Sequence, residues 1–319
     1  MYRHLFIAAL SVASILGTTM GSAQGTGGGT IYYEKNGGMF AMDSNGGNLT
    51  ALPAGVRGDP SRGLHGGARW FLFRQWIDGE TYPDGEGRQE FCVIRGDGLV
   101  TVQLTNQPDL QISNVVWKPG DSFSCVARRW LGGVVIEGGI YTAEFAHDDA
   151  GNITGLAAQP GTPLIASALI LDGAGNWRPN MNFHDWSPDG QRVVYNNATT
   201  EQLWVANLSS AHTQIYTGRW ANTPAWSPAG TKIAFMSGFG GISSINPDGS
   251  GVKEIIKRTP QYGFGDPHWS PTGSHLTYYG LRTSGGPQYD IFRSSATGSG
   301  KSNLTNTGYP FNEYPINWR

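Results

Sequence analysis

The segment DWSPDGQRVVY (185–195) recurs as AWSPAGTKIAF (225–235) and as HWSPTGSHLTY (268–278). A weaker copy, VWKPGDSF, occupies 116–123, and a decayed copy begins at Pro60. The aligned tryptophans repeat at intervals of roughly 40 to 50 residues, which is the length of one four-stranded blade of a β-propeller. The repeat is therefore the first guide to the fold.

Each residue type of the repeat suits one place in a blade. The Trp ends the first strand, where a large aromatic side chain fills the space between twisted sheets. Ser-Pro-x-Gly makes the turn, because Pro presets φ and Gly adopts the left-handed conformation. The alternating run after the turn, such as 233–235, predicts the second strand. The run 203–205 predicts a third strand, and the Gly-rich turn 246–251 leads into a fourth.

The two ends of the chain complete this pattern. Residues 30–52 supply second, third and fourth strands with no first strand before them, and residues 314–318 supply a first strand with nothing after it. We therefore predict an all-β fold, a six-bladed β-propeller closed by pairing of the C-terminal strand with the N-terminal blade strands. A seventh blade within the long third unit is the alternative. First strands are expected near Arg62, Trp117, Trp186, Trp226, Trp269 and Trp318.

At its Trp-Ser-Pro-x-Gly segments and its Asn-Pro-Asp-Gly-Ser-Gly turn, the chain resembles the TolB-like propellers built from PD40, or WD40-like, repeats. The resemblance is strong over 182–318 and looser over 57–170. It implies the propeller fold but no single function, since such propellers occur in transport accessories, peptidases and lyases. TolB itself carries an α/β domain before its propeller, whereas here the first blade strand follows closely on the N-terminal segment. The resemblance therefore carries over none of TolB's partners.

The N-terminal segment has the layout of a secretory signal peptide. Arg3 precedes an apolar run over 5–16, and small residues follow at 21–23. The apolar run is too short to span a bilayer, and the sequence contains no longer one. We expect 1–23 to be a signal peptide and 24–319 to be a TolB-like β-propeller, periplasmic or secreted, without an integral membrane segment. A buried N-terminal helix is the alternative.

Composition limits the kinds of partner. The formal net charge is −2, and charged residues make up 14% of the chain. This balance gives no electrostatic reason to expect nucleic acid or an anionic membrane surface as a partner. The 47 glycines suit short strands joined by tight turns. We expect a monomer whose partner is a protein or a peptide.

Two stretches exceed the blade template and are candidate recognition loops, because long loops on a rigid scaffold often carry function. One spans 76–88, and the other comprises 130–139 and 159–178. The first offers several carboxylates among glycines, so Ca²⁺ is one candidate ligand. It lacks the ordered spacing of a calcium loop, however, and a solvated acidic loop is favoured. The loop binding candidates are Trp76, Asp78, Glu80, Asp84 and Glu86.

The innermost strands should line the central channel. Residues alternate faces along a strand, so positions one and three before each aligned Trp share a face. If that face looks into the channel, these positions form a partly acidic ring that suits a cation, an amine or a peptide segment. A water-filled shaft without a specific ligand is the favoured alternative. The channel-lining binding candidates are Asp59, Asn114, Asp185, Asp266 and His268.

Catalytic and metal-binding patterns are weak in this sequence. It contains no Gly-x-Ser-x-Gly nucleophile elbow, and its seven histidines show no metal-ligand spacing, so we name no catalytic and no metal residue. Cys92 and Cys125 allow two interpretations, a disulfide or two separate buried thiols, and we favour the second.

The sequence thus favours a non-catalytic, exported scaffold that binds a protein or peptide partner and needs no cofactor. One alternative is a metal-assisted lyase or hydrolase that acts on a carbohydrate or lactone in the channel. Another is a structural module that associates with itself. The motif is specific for the fold and does not separate these functions.

Overall fold

The structure is a computed structural model. It describes residues 29–36, 38–60, 64–209, 211–238, 240–282, 288–306 and 313–318, with the backbone alone at 60 and 313–316. The expected signal peptide, and Ser61 and Arg62 in the decayed repeat, lie outside the described residues.

Every regular secondary-structure element in the described part of the chain is a β-strand. In chain order they are β1 (Thr30–Lys35), β2 (Gly38–Asp43), β3 (Thr50–Ala51), β4 (Asp59–Pro60), β5 (Trp70–Thr81), β6 (Gly87–Arg95), β7 (Thr101–Gln103), β8 (Leu110–Lys118), β9 (Ser122–Leu131), β10 (Val134–His147), β11 (Ile153–Leu156), β12 (Ile165–Ala166), β13 (Leu169–Leu171), β14 (Trp177–Pro179), β15 (His184–Trp186), β16 (Arg192–Asn196), β17 (Leu203–Asn207), β18 (His212–Tyr216), β19 (Asn222–Trp226), β20 (Ile233–Ser237), β21 (Gly241–Ile245), β22 (Lys253–Ile256), β23 (Tyr262–Trp269), β24 (His275–Arg282), β25 (Tyr289–Ser295), β26 (Ser302–Asn303) and β27 (Glu313–Trp318).

Across these described ranges, six antiparallel sheets form the blades of a β-propeller, which confirms the predicted fold. Blade 1 is β4–β7, blade 2 is β8–β11, blade 3 is β15–β18, blade 4 is β19–β22, blade 5 is β23–β26, and blade 6 is β27 followed by β1–β3. The first strand of each blade contributes residues to a central channel. Each predicted first strand therefore has its counterpart in the ring.

The ring closes as the chain ends predicted. Strand β27 pairs antiparallel with β1, so that Ile31 lies opposite Trp318 and Tyr32 lies opposite Asn317. Trp318 is 1% exposed and belongs to a core cluster with Ile31 of blade 6 and Ile291 of blade 5. The closing strand thus covers the edge of β1 with backbone hydrogen bonds and anchors it with a buried aromatic side chain.

The Ser-Pro-x-Gly turn has a specific hydrogen-bonding arrangement. Ser227 Oγ accepts from the Lys232 N–H at 3.0 Å, and the Gly230 N–H donates to the Ser227 carbonyl at 2.8 Å. Gly230 has a φ of 69°, a left-handed conformation that Gly adopts without a Cβ penalty. Equivalent bonds recur at Ser187 and Ser270, so the repeat motif encodes one turn used three times.

The extra stretches extend two blades and add one separate hairpin. The interval 76–88, which exceeds the blade template, lengthens the β5–β6 hairpin, with Thr81 opposite Gly87. Strand β12 pairs with β10, and β13 and β14 form a separate two-stranded hairpin. The long third unit therefore adds a hairpin and no seventh blade in the described residues.

Apolar side chains from adjacent blades form the core. One cluster joins Trp70 and Phe91 of blade 1 to Trp117 and Phe123 of blade 2, and another joins Val194 of blade 3 to blade 4. Burial between blades, rather than within one sheet, holds neighbouring blades together. No helix capable of crossing a membrane occurs in the part of the chain that the structure describes.

Candidate functional site

The central channel is a cavity of about 430 Å³ to which all six blades contribute. In blades 3 to 5 its lining runs from three positions before the repeat Trp to the Pro of the following turn. The five residues predicted to line the channel are all on this lining: Asp59, Asn114, Asp185, Asp266 and His268. The structure therefore brings together, from four blades, residues that are far apart in the sequence.

Bulges in the inner strands, which simple alternation does not predict, direct several of these side chains. Asn114, Thr223 and Asp266 have φ angles of 39°, 45° and 53°, and each lies at a register shift in its strand. A bulge adds one residue to a strand, bends it and re-aims the side chain. Asn and Asp tolerate the left-handed conformation, whereas β-branched Thr223 is strained there. Three blades thus present the same unusual backbone to the channel.

Hydrogen bonds between blades hold two channel carboxylates in place. Asp185 Oδ2 accepts the backbone N–H of Trp226 in the next blade at 2.7 Å. Asp59 Oδ1 accepts from the Asn317 side-chain amide at 2.7 Å. Both side chains are half-buried, so each carboxylate is fixed by its neighbour and still faces the cavity.

A third carboxylate lies in blade 5. Asp266 Oδ1 is 3.6 Å from His268 Nε2, and the two side chains are 35% and 19% exposed. No Lys or Arg occurs among the described residues that line the channel, whereas three carboxylates do, and of its two histidines only His268 is more than marginally exposed. Field lines concentrate in a cavity with low-dielectric walls, and the channel therefore attracts positive charge.

Acidic residues of the extended β5–β6 hairpin form ion pairs with arginines. Asp84 is buried and forms an ion pair with Arg128, and Glu86 forms one with Arg178 at 2.5 Å. The hydrogen bond to Glu86 is the main reason that the pKa of Arg178 is raised. These contacts fix the hairpin tip against blade 2 and the β13–β14 hairpin. They are ion pairs that a bound Ca²⁺ would have to displace.

The remaining loop candidates differ in their environment. Glu80 pairs with the Arg88 guanidinium, which also contacts buried Glu90 at 2.5 Å. Asp78 is exposed, and Trp76 is 62% exposed. Of the five loop candidates, three carboxylates thus serve the hairpin structure and two residues remain at its surface. Calcium binding by this loop stays a prediction.

A second cavity, also of about 430 Å³, lies between this hairpin and blade 2. Its lining includes Trp76, Tyr82, Arg128 and Arg178. Burial raises the pKa of Tyr82 to about 12. Its hydroxyl oxygen lies within hydrogen-bond distance of the Leu110 carbonyl oxygen, at 3.2 Å. Because Tyr82 and Arg128 already have protein partners, this cavity is built mainly of groups that hold the hairpin.

The two cysteines are free and buried. Cys92 lies on β6 in the cluster of blades 1 and 6, and Cys125 lies on β9 in the cluster of blades 1 and 2. Burial raises the pKa of the Cys92 thiol to about 11. Two separate buried thiols therefore describe this structure, and neither sulfur has the lowered pKa of a nucleophile.

One group of ligand-forming side chains escaped the sequence analysis. His65, Asp121 and His147, from blades 1 and 2, place three ligand atoms within 4.8 Å of one another, and none of the three lines the channel. They come from three separate segments, so no local ligand spacing could have revealed them.

Solved structures similar to this chain share its fold. No protein-family model matches the chain, and no curated protein does. A puromycin hydrolase has a TM-score of 0.52 and 15% identity, over 85% of this chain and 42% of that one. A nidogen/laminin complex has a TM-score of 0.51 and 11% identity, over 78% and 81%. A TolB candidate from Agrobacterium tumefaciens has a TM-score of 0.48 and 19% identity, over 75% and 81%.

At these identities the likeness concerns the fold alone. The chain has the fold of a six-bladed β-propeller, the architecture that the TolB-like resemblance of its Trp-Ser-Pro-x-Gly repeats implied.

Proposed function

We propose that this chain is an exported binding scaffold that holds a positively charged segment of a protein or peptide partner in its channel. The observation that carries the proposal is the convergence of Asp59, Asp185 and Asp266 on one cavity with no Lys or Arg among its described lining residues. Such a cavity favours an ammonium or guanidinium group over a neutral or anionic one.

The shape of the channel supports a side chain or a chain terminus as ligand. Its volume of about 430 Å³ is at the lower end of the range for small-ligand sites. Phe183, which is 40% exposed, also contributes to the lining. An aromatic ring beside carboxylates suits Lys or Arg, because the methylene stem packs on the ring while the charged end meets the carboxylates.

A metal-assisted reaction in the channel remains the second hypothesis from the sequence, and the channel geometry adds little to it. The Asp266–His268 pair supplies one imidazole beside one carboxylate. Among the described residues, three ligand atoms lie within 4.8 Å of one another at His65, Asp121 and His147, and these residues do not line the channel. The non-catalytic scaffold is therefore the function that we carry forward.

The test is a binding titration with synthetic peptides of matched length that carry Lys and Arg, only neutral residues, or Glu. Isothermal titration calorimetry measures the affinity of each peptide. We expect the cationic peptide to bind most tightly and its affinity to fall with added salt, because salt screens exposed charges. Asp266→Asn removes one negative charge with little change in shape and should weaken binding by about fivefold, as expected for a partly exposed charge pair.

The matched control is Asp149→Asn, which removes one carboxylate from an exposed surface position outside the channel. It should leave the affinity unchanged. Equal binding of cationic and anionic peptides, or equal weakening by the two Asp→Asn variants, would contradict the proposal.

A further inference from the structure

The second repeat departs from the regular ones at two positions of its turn, where Lys118 replaces the Ser and Asp121 replaces the Gly. Four residues after the Trp, the regular repeats have Gly190, Gly230 and Gly273, with φ angles of 68°, 69° and 71°. The same position after Trp117 is Asp121, with a φ of 59°. A non-glycine residue in the left-handed conformation is uncommon and tends to be retained where its side chain has a use.

The Asp121 carboxylate lies between two histidines. Its Oδ1 is 3.2 Å from His65 Nδ1, and its Oδ2 is 3.4 Å from His147 Nε2. Bonds of about 2.0–2.1 Å to a tetrahedral metal place neighbouring ligand atoms about 3.3 Å apart. The two observed N–O separations are close to this value, and the ligand nitrogens of His65 and His147 lie within 4.8 Å of each other.

Local contacts hold His65 in position. Two backbone hydrogen bonds with Ala68, at 2.8 and 3.2 Å, close the loop that carries it, and its ring stacks on Trp117 at 5.8 Å. Gly66 lies so close to the Asn152 side chain that a Cβ there would meet its Oδ1 at 2.3 Å. The loop of His65 thus packs tightly against the β10–β11 turn, which begins beside His147.

The three side chains are also accessible to an ion from solvent. The side chains of His65, Asp121 and His147 are 15%, 47% and 23% exposed. An ion bound here would keep one side open to solvent.

We propose that His65, Asp121 and His147 form a binding site for a divalent transition metal of the Zn²⁺ type. Two imidazole nitrogens and one carboxylate oxygen suit Zn²⁺, whereas Ca²⁺ and Mg²⁺ take mainly oxygen ligands. His65 belongs to blade 1, and Asp121 and His147 belong to blade 2, so the ion links two blades. The fourth coordination position faces solvent and is free for water or for a donor group of a partner.

The test is calorimetric titration of Zn²⁺ into the full chain after treatment with a chelator. We expect one saturable site per chain, and a rise in Tm of about 5 °C at saturating Zn²⁺. Asp121→Gly restores the residue of the regular repeats and removes a left-handed Asp, so this variant should fold. It should nevertheless bind Zn²⁺ at least about 100-fold more weakly, and His147→Ala should do the same.

Two control variants locate the effect. His268→Ala removes the channel imidazole and His275→Ala removes one on blade 5, so both should keep the parent affinity. Absence of saturable Zn²⁺ binding in the parent chain would overturn the proposal. So would undiminished binding by the Asp121→Gly variant, loss of binding in His268→Ala, or Ca²⁺ binding that competes with Zn²⁺.

Discussion

The indole N–H of the repeat Trp joins neighbouring blades. Trp117 donates to the Asp59 carbonyl at 2.8 Å, and Trp269 donates to the Ala225 carbonyl at 3.0 Å. In both cases the acceptor is on the inner strand of the preceding blade. In these two blades the same side chain fills the space between blades and satisfies a buried donor, whereas the buried Nε1 of Trp226 has no hydrogen-bond partner among the described residues.

In blade 3 the indole N–H donates to a side-chain oxygen instead of a backbone carbonyl. Trp186 Nε1 donates to Ser124 Oγ at 2.7 Å, and that oxygen lies 2.8 Å from His184 Nε2. Since the indole supplies one proton to Oγ, the Ser124 hydroxyl can donate its own proton to His184. Burial lowers the pKa of His184 to about 3, and the imidazole is therefore neutral in the folded protein.

The low pKa of His184 predicts a pH dependence of stability. Between pH 6.5 and about 3 the unfolded chain binds a proton here that the folded chain does not, so the free energy of unfolding falls as pH falls through this window. The expected slope from this residue is on the order of 1 kcal/mol per pH unit. Urea unfolding at several pH values should show it, and His184→Gln should flatten it. An unchanged slope in the variant would mean that His184 is not the group responsible.

The buried ion pair at the tip of the β5–β6 hairpin predicts that loss of Arg128 strongly lowers the free energy of unfolding. Arg128→Ala removes the guanidinium that faces Asp84, whose side chain is 1% exposed. The carboxylate would keep only the more distant Arg178 guanidinium, at 3.9 Å, so the free energy of unfolding should fall by about 3 kcal/mol. The control is Arg95→Ala, because the Arg95–Asp97 pair is more exposed and should cost less than about 1 kcal/mol. Equal losses in chemical denaturation would contradict this account of the hairpin.

At the scale of elements, the inner-strand bulge is the feature that shapes the channel. Blade 2 places Asn114 at the bulge, where it bonds to Asn182 of blade 3 at 3.0 Å. Blade 4 places Thr223 there, and its buried hydroxyl has no hydrogen-bond partner among the described residues. The left-handed backbone at the bulge therefore suits Asn114 in blade 2 and is unfavourable for Thr223 in blade 4.

This difference predicts opposite effects of two exchanges at the bulge. Thr223→Asn should raise the free energy of unfolding by about 1 kcal/mol, since Asn tolerates the left-handed conformation better than a β-branched residue does. Asn114→Thr should lower it by at least about 1 kcal/mol, because strain is added and the bond to Asn182 is lost. Thermal and urea unfolding would measure both. Destabilisation by Thr223→Asn would show that the bulge is not strained.

Regular elements could be predicted from sequence because their signals are local. The Pro and Gly of each turn determine its backbone, and the alternating run after it determines the second strand. The hairpin over 76–88 could not be predicted, since Arg128 and Arg178, which are distant in sequence, pair with its carboxylates. The bulges were missed because one extra residue leaves no periodic signal in a short strand.

At the scale of the whole molecule, closure depends on the C-terminal strand. Trp318→Ala should lower the free energy of unfolding by about 3–5 kcal/mol, because it removes a fully buried side chain from the junction of blades 5 and 6. Trp76→Ala, at a side chain that is 62% exposed, is the matched control and should change stability by less than about 0.5 kcal/mol. Equal effects in urea unfolding would mean that the junction does not stabilise the ring.

The candidate site was only partly predictable. Repeat alignment selected five positions that lie on the lining of one cavity, because equivalent positions in a propeller face the same axis, and ligand binding by them stays a prediction. The partners that fix Asp59 and Asp185 come from neighbouring blades, and no sequence pattern linked Asn317 to Asp59. Binding by these residues is therefore a property of the assembled ring.

Hydrogen–deuterium exchange of the full chain, with and without the tightest-binding peptide of the titration panel, tests the central claim most directly. We expect the bound peptide to slow exchange at the inner strands β8, β15, β19 and β23, which line the channel. Slowed exchange confined to the β5–β6 hairpin would contradict the account, because the partner would then be bound outside the channel.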